Sequence, residues 1–138
     1  MGKGRRIVVG VDFGVCGDDA IIEAVKLVST GWASQLHALH TLDPAEVLDD
    51  PSLPALETEE RVLADGPEAL RRRVAEVAED AELSLPAGAL FTHVRIGKAG
   101  ETLQQFAVDY DADLIVVGTH KRRGIERLLL GSVAQYLT

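Results

Sequence analysis

Aromatic residues are scarce in this chain, at 4% of its 138 residues, although 46% of the residues are hydrophobic. The core must therefore consist mainly of Val, Leu, Ile and Ala, which is the composition of buried parallel β-sheets. A single cysteine, Cys16, excludes an internal disulfide. The apolar segment near the N-terminus is too short for a signal peptide or a membrane span, so we expect a cytoplasmic protein.

Basic residues are also in deficit, with 14 Lys and Arg against 22 Asp and Glu, for a net charge of -8. Binding to nucleic acid or to an anionic membrane surface would need a broad basic face, so we expect neither partner. The length is that of one ordinary domain, residues 1–138, which can bury a core without disulfide or metal support.

Two kinds of apolar segment alternate along the chain. Short β-branched runs predict strands, and apolar residues spaced three and four apart predict helices. Between residues 43 and 66 neither pattern persists, so we expect a long loop with a short helical turn near 57–63, followed by a helix with Pro67 in its first turn. The strands are expected at 6–11, 34–42, 89–96 and 113–117, and the helices at about 18–31, 67–81, 99–110 and from 131 onward.

Four strands alternating with helices predict an α/β fold, a doubly wound parallel sheet with right-handed crossovers. In such sheets ligands bind outside the carboxyl ends of the strands, where the strand order reverses. Asp12, Thr41, Gly97 and Gly118 are all expected at that edge.

The most informative motif is VVGTHKRRGIERLLLGSVA, residues 116–134. A buried strand ends at Gly118, a basic loop follows, and a helix is expected to begin at Gly131 and Ser132. Amides at a helix start, with a serine hydroxyl as an extra donor, suit a phosphate group. Spacing alone leaves the alternative open that these are turn glycines beside a solvated basic face. The basic residues are Lys121, Arg122, Arg123 and Arg127.

This segment resembles the signature of the universal stress proteins, which reads Gly, two residues, Gly, nine residues, then Gly followed by Ser or Thr. Gly118, Gly131 and Ser132 match it, whereas Lys121 occupies the position of the second glycine. The resemblance extends along nearly the whole chain, through Asp12 at the end of the first strand, LHALHTLD, DADLIVVGTH and LLLGSVA.

The resemblance implies a stress-associated regulatory protein with an adenine-nucleotide site, for ATP or AMP with or without magnesium, between the first and fourth strand ends. It also implies a homodimer. A lysine at position 121 would either crowd the phosphates or neutralise them. The binding residues that it implies are Asp12, Thr41, Val117, Gly118, Lys121, Gly131, Ser132 and Val133.

Two other functions stay open. One is a dimeric interaction module that binds no nucleotide, suggested by Lys121 and by the unusual first loop VDFGVCGDD; the other is a slow ATPase. We expect no enzyme, because no nucleophile with a base and no paired carboxylates are evident. His37 and His40 are three apart on a strand and so point to opposite faces, and we expect no metal site.

The outer edge of the fourth strand has no partner strand among the predicted elements. The chain ends at Thr138 within the expected last helix, before the fifth strand that members of this family usually place beside the fourth. We therefore expect residues 114–117 to form an open, apolar edge that another chain, a rearranged helix or further residues would cover. A homodimer or larger assembly is expected for the intact protein.

Overall fold

The computed structural model describes residues 4–11, 15–42, 55–118 and 126–130. Five strands and three helices lie within these residues. In chain order they are β1 (Arg6–Gly10), α1 (Val15–Ser29), β2 (Gln35–Leu42), α2 (Ala55–Asp80), β3 (Leu90–Ile96), α3 (Ala99–Asp109), β4 (Leu114–Gly118) and β5 (Glu126–Leu130).

All five strands form one sheet, in the order β3-β2-β1-β4-β5. The first four are parallel, and β1 lies between β2 and β4 with Gly10 opposite both Leu39 and Val117. The apolar runs RIVVG and LIVVG form these central strands because their β-branched side chains are buried on both faces of the sheet. The doubly wound α/β fold is confirmed.

Each face of the sheet has its own core, because successive side chains of a strand point to opposite faces. Ile7 and Val9 of β1 face α1 and α2, whereas Val8 between them faces α3. All three are fully buried. The two helices on the first face are joined by Arg73 of α2, which donates two hydrogen bonds of 2.7 Å to the carboxylate of Asp18 in the first turn of α1.

The helix before β3 is longer than the sequence predicts. The expected loop as far as residue 66 is wrong in its second half, because α2 already begins at Ala55 and continues through Gly66 and Pro67. Proline lacks the N–H for one helical hydrogen bond. The segment before it is rich in good helix formers, and fully buried Leu70 and Val74 fix the turns after it, so the helix continues across the proline.

The expected open edge on β4 is also wrong. β5 pairs with β4 in antiparallel orientation, with Leu128 opposite Val116 and Leu130 opposite Leu114. The apolar segment ERLLL, which the sequence analysis assigned to a loop, therefore supplies the backbone partners of β4. The expected last helix from residue 131 lies outside the described residues.

None of the helices in the described part of the chain combines the length and the apolar character needed to cross a bilayer.

Candidate functional site

The order of the strands creates a crevice at the carboxyl edge of the sheet. The chain runs from β1 outward through β2 to β3, and then crosses to the other side of β1 to form β4. The crossovers on the two sides of β1 therefore lie on opposite faces, with α1 and α2 on one and α3 on the other. The strand order therefore reverses between β1 and β4, which is where sheets of this kind bind ligands.

Gly10 is the last residue of β1 and lies at this reversal point. An ideal Cβ at this position would lie 3.4 Å from Cγ1 of Val117 and 3.5 Å from Cδ2 of Leu103. Such a Cβ would fit, but a longer side chain would have to displace these neighbours. The absence of a side chain here lets Val117 and Leu103 pack closely against the end of β1.

The end of β1 is held in place by hydrogen bonds to β2. Val11 donates its backbone N–H to the Leu39 carbonyl at 2.9 Å. The Val11 carbonyl lies 2.7 Å from Nδ1 of His40, and because a carbonyl only accepts, the imidazole nitrogen is the donor. These two bonds fix the residue that directly precedes Asp12.

Three of the predicted site residues lie in the described part of the chain. Thr41, near the end of β2, is partly exposed and lies on the α3 face, two residues beyond buried Leu39. Val117 and Gly118 end β4. Since β1 separates β2 from β4, these residues flank the end of β1 on both sides. Asp12, Lys121, Gly131, Ser132 and Val133 lie outside the described residues.

A second cluster, which the sequence analysis did not bring together, lies toward the amino edge of the sheet on the α3 face. Nδ1 of His37 lies 3.1 Å from Nε2 of His93. The register of β2 against β3 makes this possible, because it places His37 opposite Phe91 and Leu39 opposite His93. Because side chains alternate between the two faces along each strand, this register places both histidines on the same face of the sheet. Without the register, the alternation alone could not predict the contact.

The environment of both imidazoles opposes a positive charge. Burial lowers the pKa of His93 to about 4, with further lowering by His37 and Arg95. Burial also lowers the pKa of His37, helped by Arg6. In the described residues, no three or more His, Cys, Asp or Glu side chains are grouped to hold a metal ion.

The family model of the universal stress proteins matches residues 4–138. The chain belongs to the universal stress protein family. A universal stress protein of Methanocaldococcus jannaschii, MJ0531, is 30% identical over 135 residues, covering 95% of this chain and 74% of that protein. The solved structure of universal stress protein UspA from Lactobacillus plantarum is 27% identical, with a TM-score of 0.65 over 99% of this chain and 92% of that one.

Another solved universal stress protein, determined in complex with cAMP, is 17% identical, with a TM-score of 0.54 over 83% of this chain and 72% of that one. At this identity the likeness shows the fold that the two proteins share. The doubly wound sheet of this universal stress protein is thus also the framework of a relative that holds an adenine nucleotide.

Proposed function

We propose that this universal stress protein is a regulatory binding protein that holds an adenine nucleotide, ATP or AMP, in the crevice between the ends of β1 and β4. The observation that carries the proposal is the reversal of strand order at β1, which places the ends of β2 and β4 on the two sides of its carboxyl end. The relative in complex with cAMP supports the ligand class, since cAMP contains the same adenosine.

In this proposal the nucleotide spans the crevice. Thr41 lines the base pocket, Asp12 holds the ribose side of the adenosine, and Val117 and Gly118 contact the ribose by their backbone. The amides of Gly131, Ser132 and Val133 bind the phosphates, because unpaired N–H groups and a hydroxyl are suitable donors for an anion. Lys121 and the basic residues around it offset the acidic net charge of the chain.

The proposal also includes a cytoplasmic location and a homodimer. A second candidate function is an interaction module that dimerises without binding nucleotide, and Lys121 is the observation that favours it. A glycine at this position would let the backbone approach the phosphates, whereas a lysine side chain would need space there. Catalysis is not part of either proposal, so phosphate release from ATP should stay at the background rate.

The phosphate assignment is tested by replacing Gly131 with valine. We expect Gly131→Val to abolish binding of ATP and AMP in isothermal titration, with and without magnesium, because the added side chain lies where the phosphates approach the backbone. Gly100→Val is the matched control, since Gly100, near the start of α3, has no neighbouring atom within 4 Å of an added Cβ. If Gly131→Val binds ATP as tightly as the control, the phosphates bind elsewhere.

A further inference from the structure

His37 and His93 form the middle of a short hydrogen-bonded chain. Nε2 of His37 lies 3.0 Å from Oε1 of Gln35, which only accepts, so His37 is protonated at Nε2. Its Nδ1 is then an acceptor, and Nε2–H of His93 donates to it at 3.1 Å. The partners thus assign one proton to each ring. Nδ1 of His93 is left as the unbonded acceptor among the described residues.

The two rings are arranged for a direct hydrogen bond. Their centroids are 5.3 Å apart and their planes are inclined by only 19°. Each bonded nitrogen lies about half a ring width from the centroid of its own ring. The distance between the centroids exceeds the distance between the nitrogens by about one ring width, so both nitrogens lie near the line that joins the centroids. The lone pair of one faces the proton of the other, which leaves no space for a bridging metal ion.

Aromatic rings from β3 and α3 enclose the pair. Phe91 stacks on His37 at 4.8 Å between centroids, and Phe106 lies 4.6 Å from His93. Tyr110, just after α3, lies 5.2 Å from both imidazoles. His37 is only 4% exposed. The pair therefore connects β2, β3 and the end of α3, and β3 is the outer strand on its side of the sheet.

The charged and titratable groups around the pair are of both signs. The cations are Arg6, which donates to the Tyr110 carbonyl at 3.4 Å, and Arg95, whose guanidinium lies 5.3 Å from the centre of the Phe106 ring. The carboxylates of Asp109 and Asp111 are solvent-exposed, so water and salt screen their charges from the two histidines. The ring of Tyr110 also packs against both imidazoles.

We propose that the His37–His93 pair is an acid-responsive element of this fold, which fastens β3 to the end of α3 while both rings are neutral and loosens that packing when they take up protons. A proton added to His93 at Nδ1 places a cation in a partly buried site near the guanidinium of Arg95. A proton added to His37 at Nδ1 sets two donors against each other and breaks the bond between the rings.

The sign of the pH dependence follows from the lowered pKa of His93. In the unfolded chain the imidazole of His93 takes up a proton near pH 6.5, whereas in the folded chain it does so only near pH 4. The stability due to the neutral ring is therefore fully present above pH 6.5 and is lost as the pH falls toward 4.

The test compares the wild-type protein with His93→Gln. The glutamine amide can still donate to Nδ1 of His37, but it does not titrate. We expect the unfolding constant of the wild type, measured in urea, to rise about tenfold more than that of His93→Gln between about pH 7.5 and about pH 5. Equal rises in the two proteins would overturn the proposal, because the carboxylates shared by both would then explain the whole effect.

Nuclear magnetic resonance of the wild type provides the second measurement, which stands even if the variant does not fold. We expect the imidazoles of His37 and His93 to titrate with midpoints below 6.5, and the ring signals of Phe91, Phe106 and Tyr110 to shift with the same midpoints. A midpoint at or above 6.5 for His37 or His93, or aromatic signals that do not follow them, would contradict the proposal.

Discussion

Gly97, directly after β3, has a backbone conformation that residues with a side chain rarely adopt. Its φ is +151°, and an added Cβ would lie 2.6 Å from Oγ1 of Thr102. Rotation of Thr102 would relieve the contact but not the backbone strain. We therefore expect Gly97→Ala to lower the free energy of unfolding by about 1 kcal/mol or more, measured by urea denaturation.

Gly100→Ala is the control for this substitution. Gly100 lies in α3 with open space around an added Cβ, and alanine favours the helix by up to about 1 kcal/mol. The two substitutions should therefore change the stability in opposite directions. A loss of the same size in both variants would mean that the conformation of Gly97 is not what requires glycine.

Lys121 is the residue that separates the two candidate functions. If its ammonium group neutralises the phosphates, Lys121→Gly should weaken the binding of ATP by about 1 kcal/mol or more in an equilibrium titration. This is the result that we expect. A gain in affinity would show instead that the lysine crowds the phosphates, and it would favour the interaction module.

At the scale of elements, the antiparallel pairing of β5 with β4 can be tested by proline substitutions. Leu128 and Leu129 are consecutive, so their N–H groups point to opposite edges of β5, and only one of the two N–H groups points toward β4. We expect one of Leu128→Pro and Leu129→Pro to lose about 1–3 kcal/mol of stability and the other to lose much less.

The pair of variants carries its own control, because both introduce the same residue into the same strand. Thermal unfolding of the two proteins gives the comparison. Two variants as stable as the wild type would mean that β5 does not pair with β4.

Most elements could be predicted from the sequence because their signals are local. The β-branched runs of the parallel strands and the helical spacing of α1 and α3 depend only on neighbouring residues, and the structure places these elements within one or two residues of the expected bounds, apart from the start of α1. The start of α2 and the strand β5 were missed because tertiary packing overrides local signals. Pro67 suggested a helix start but lies inside α2, and the apolar segment after the basic loop became β5.

At the scale of the whole molecule, the carboxyl edge of the sheet could be predicted from the sequence, whereas the contacts between strands could not. The carboxyl edge follows from the alternation of strands and helices, and Thr41, Val117 and Gly118 lie there as expected. The position of Gly10 opposite Val117 and the contact between His37 and His93 depend on the register between strands. Register arises from contacts distant in the chain, so single-sequence patterns do not contain it.

We propose that this universal stress protein binds an adenine nucleotide between the ends of β1 and β4. The most direct measurement is isothermal titration of ATP into protein freed of any bound nucleotide, beside the Gly131→Val and Gly100→Val variants. We predict saturable binding of one nucleotide per chain in the wild type and in Gly100→Val, and none in Gly131→Val. Absence of binding by the wild type at millimolar ATP or AMP, with and without magnesium, would contradict the account.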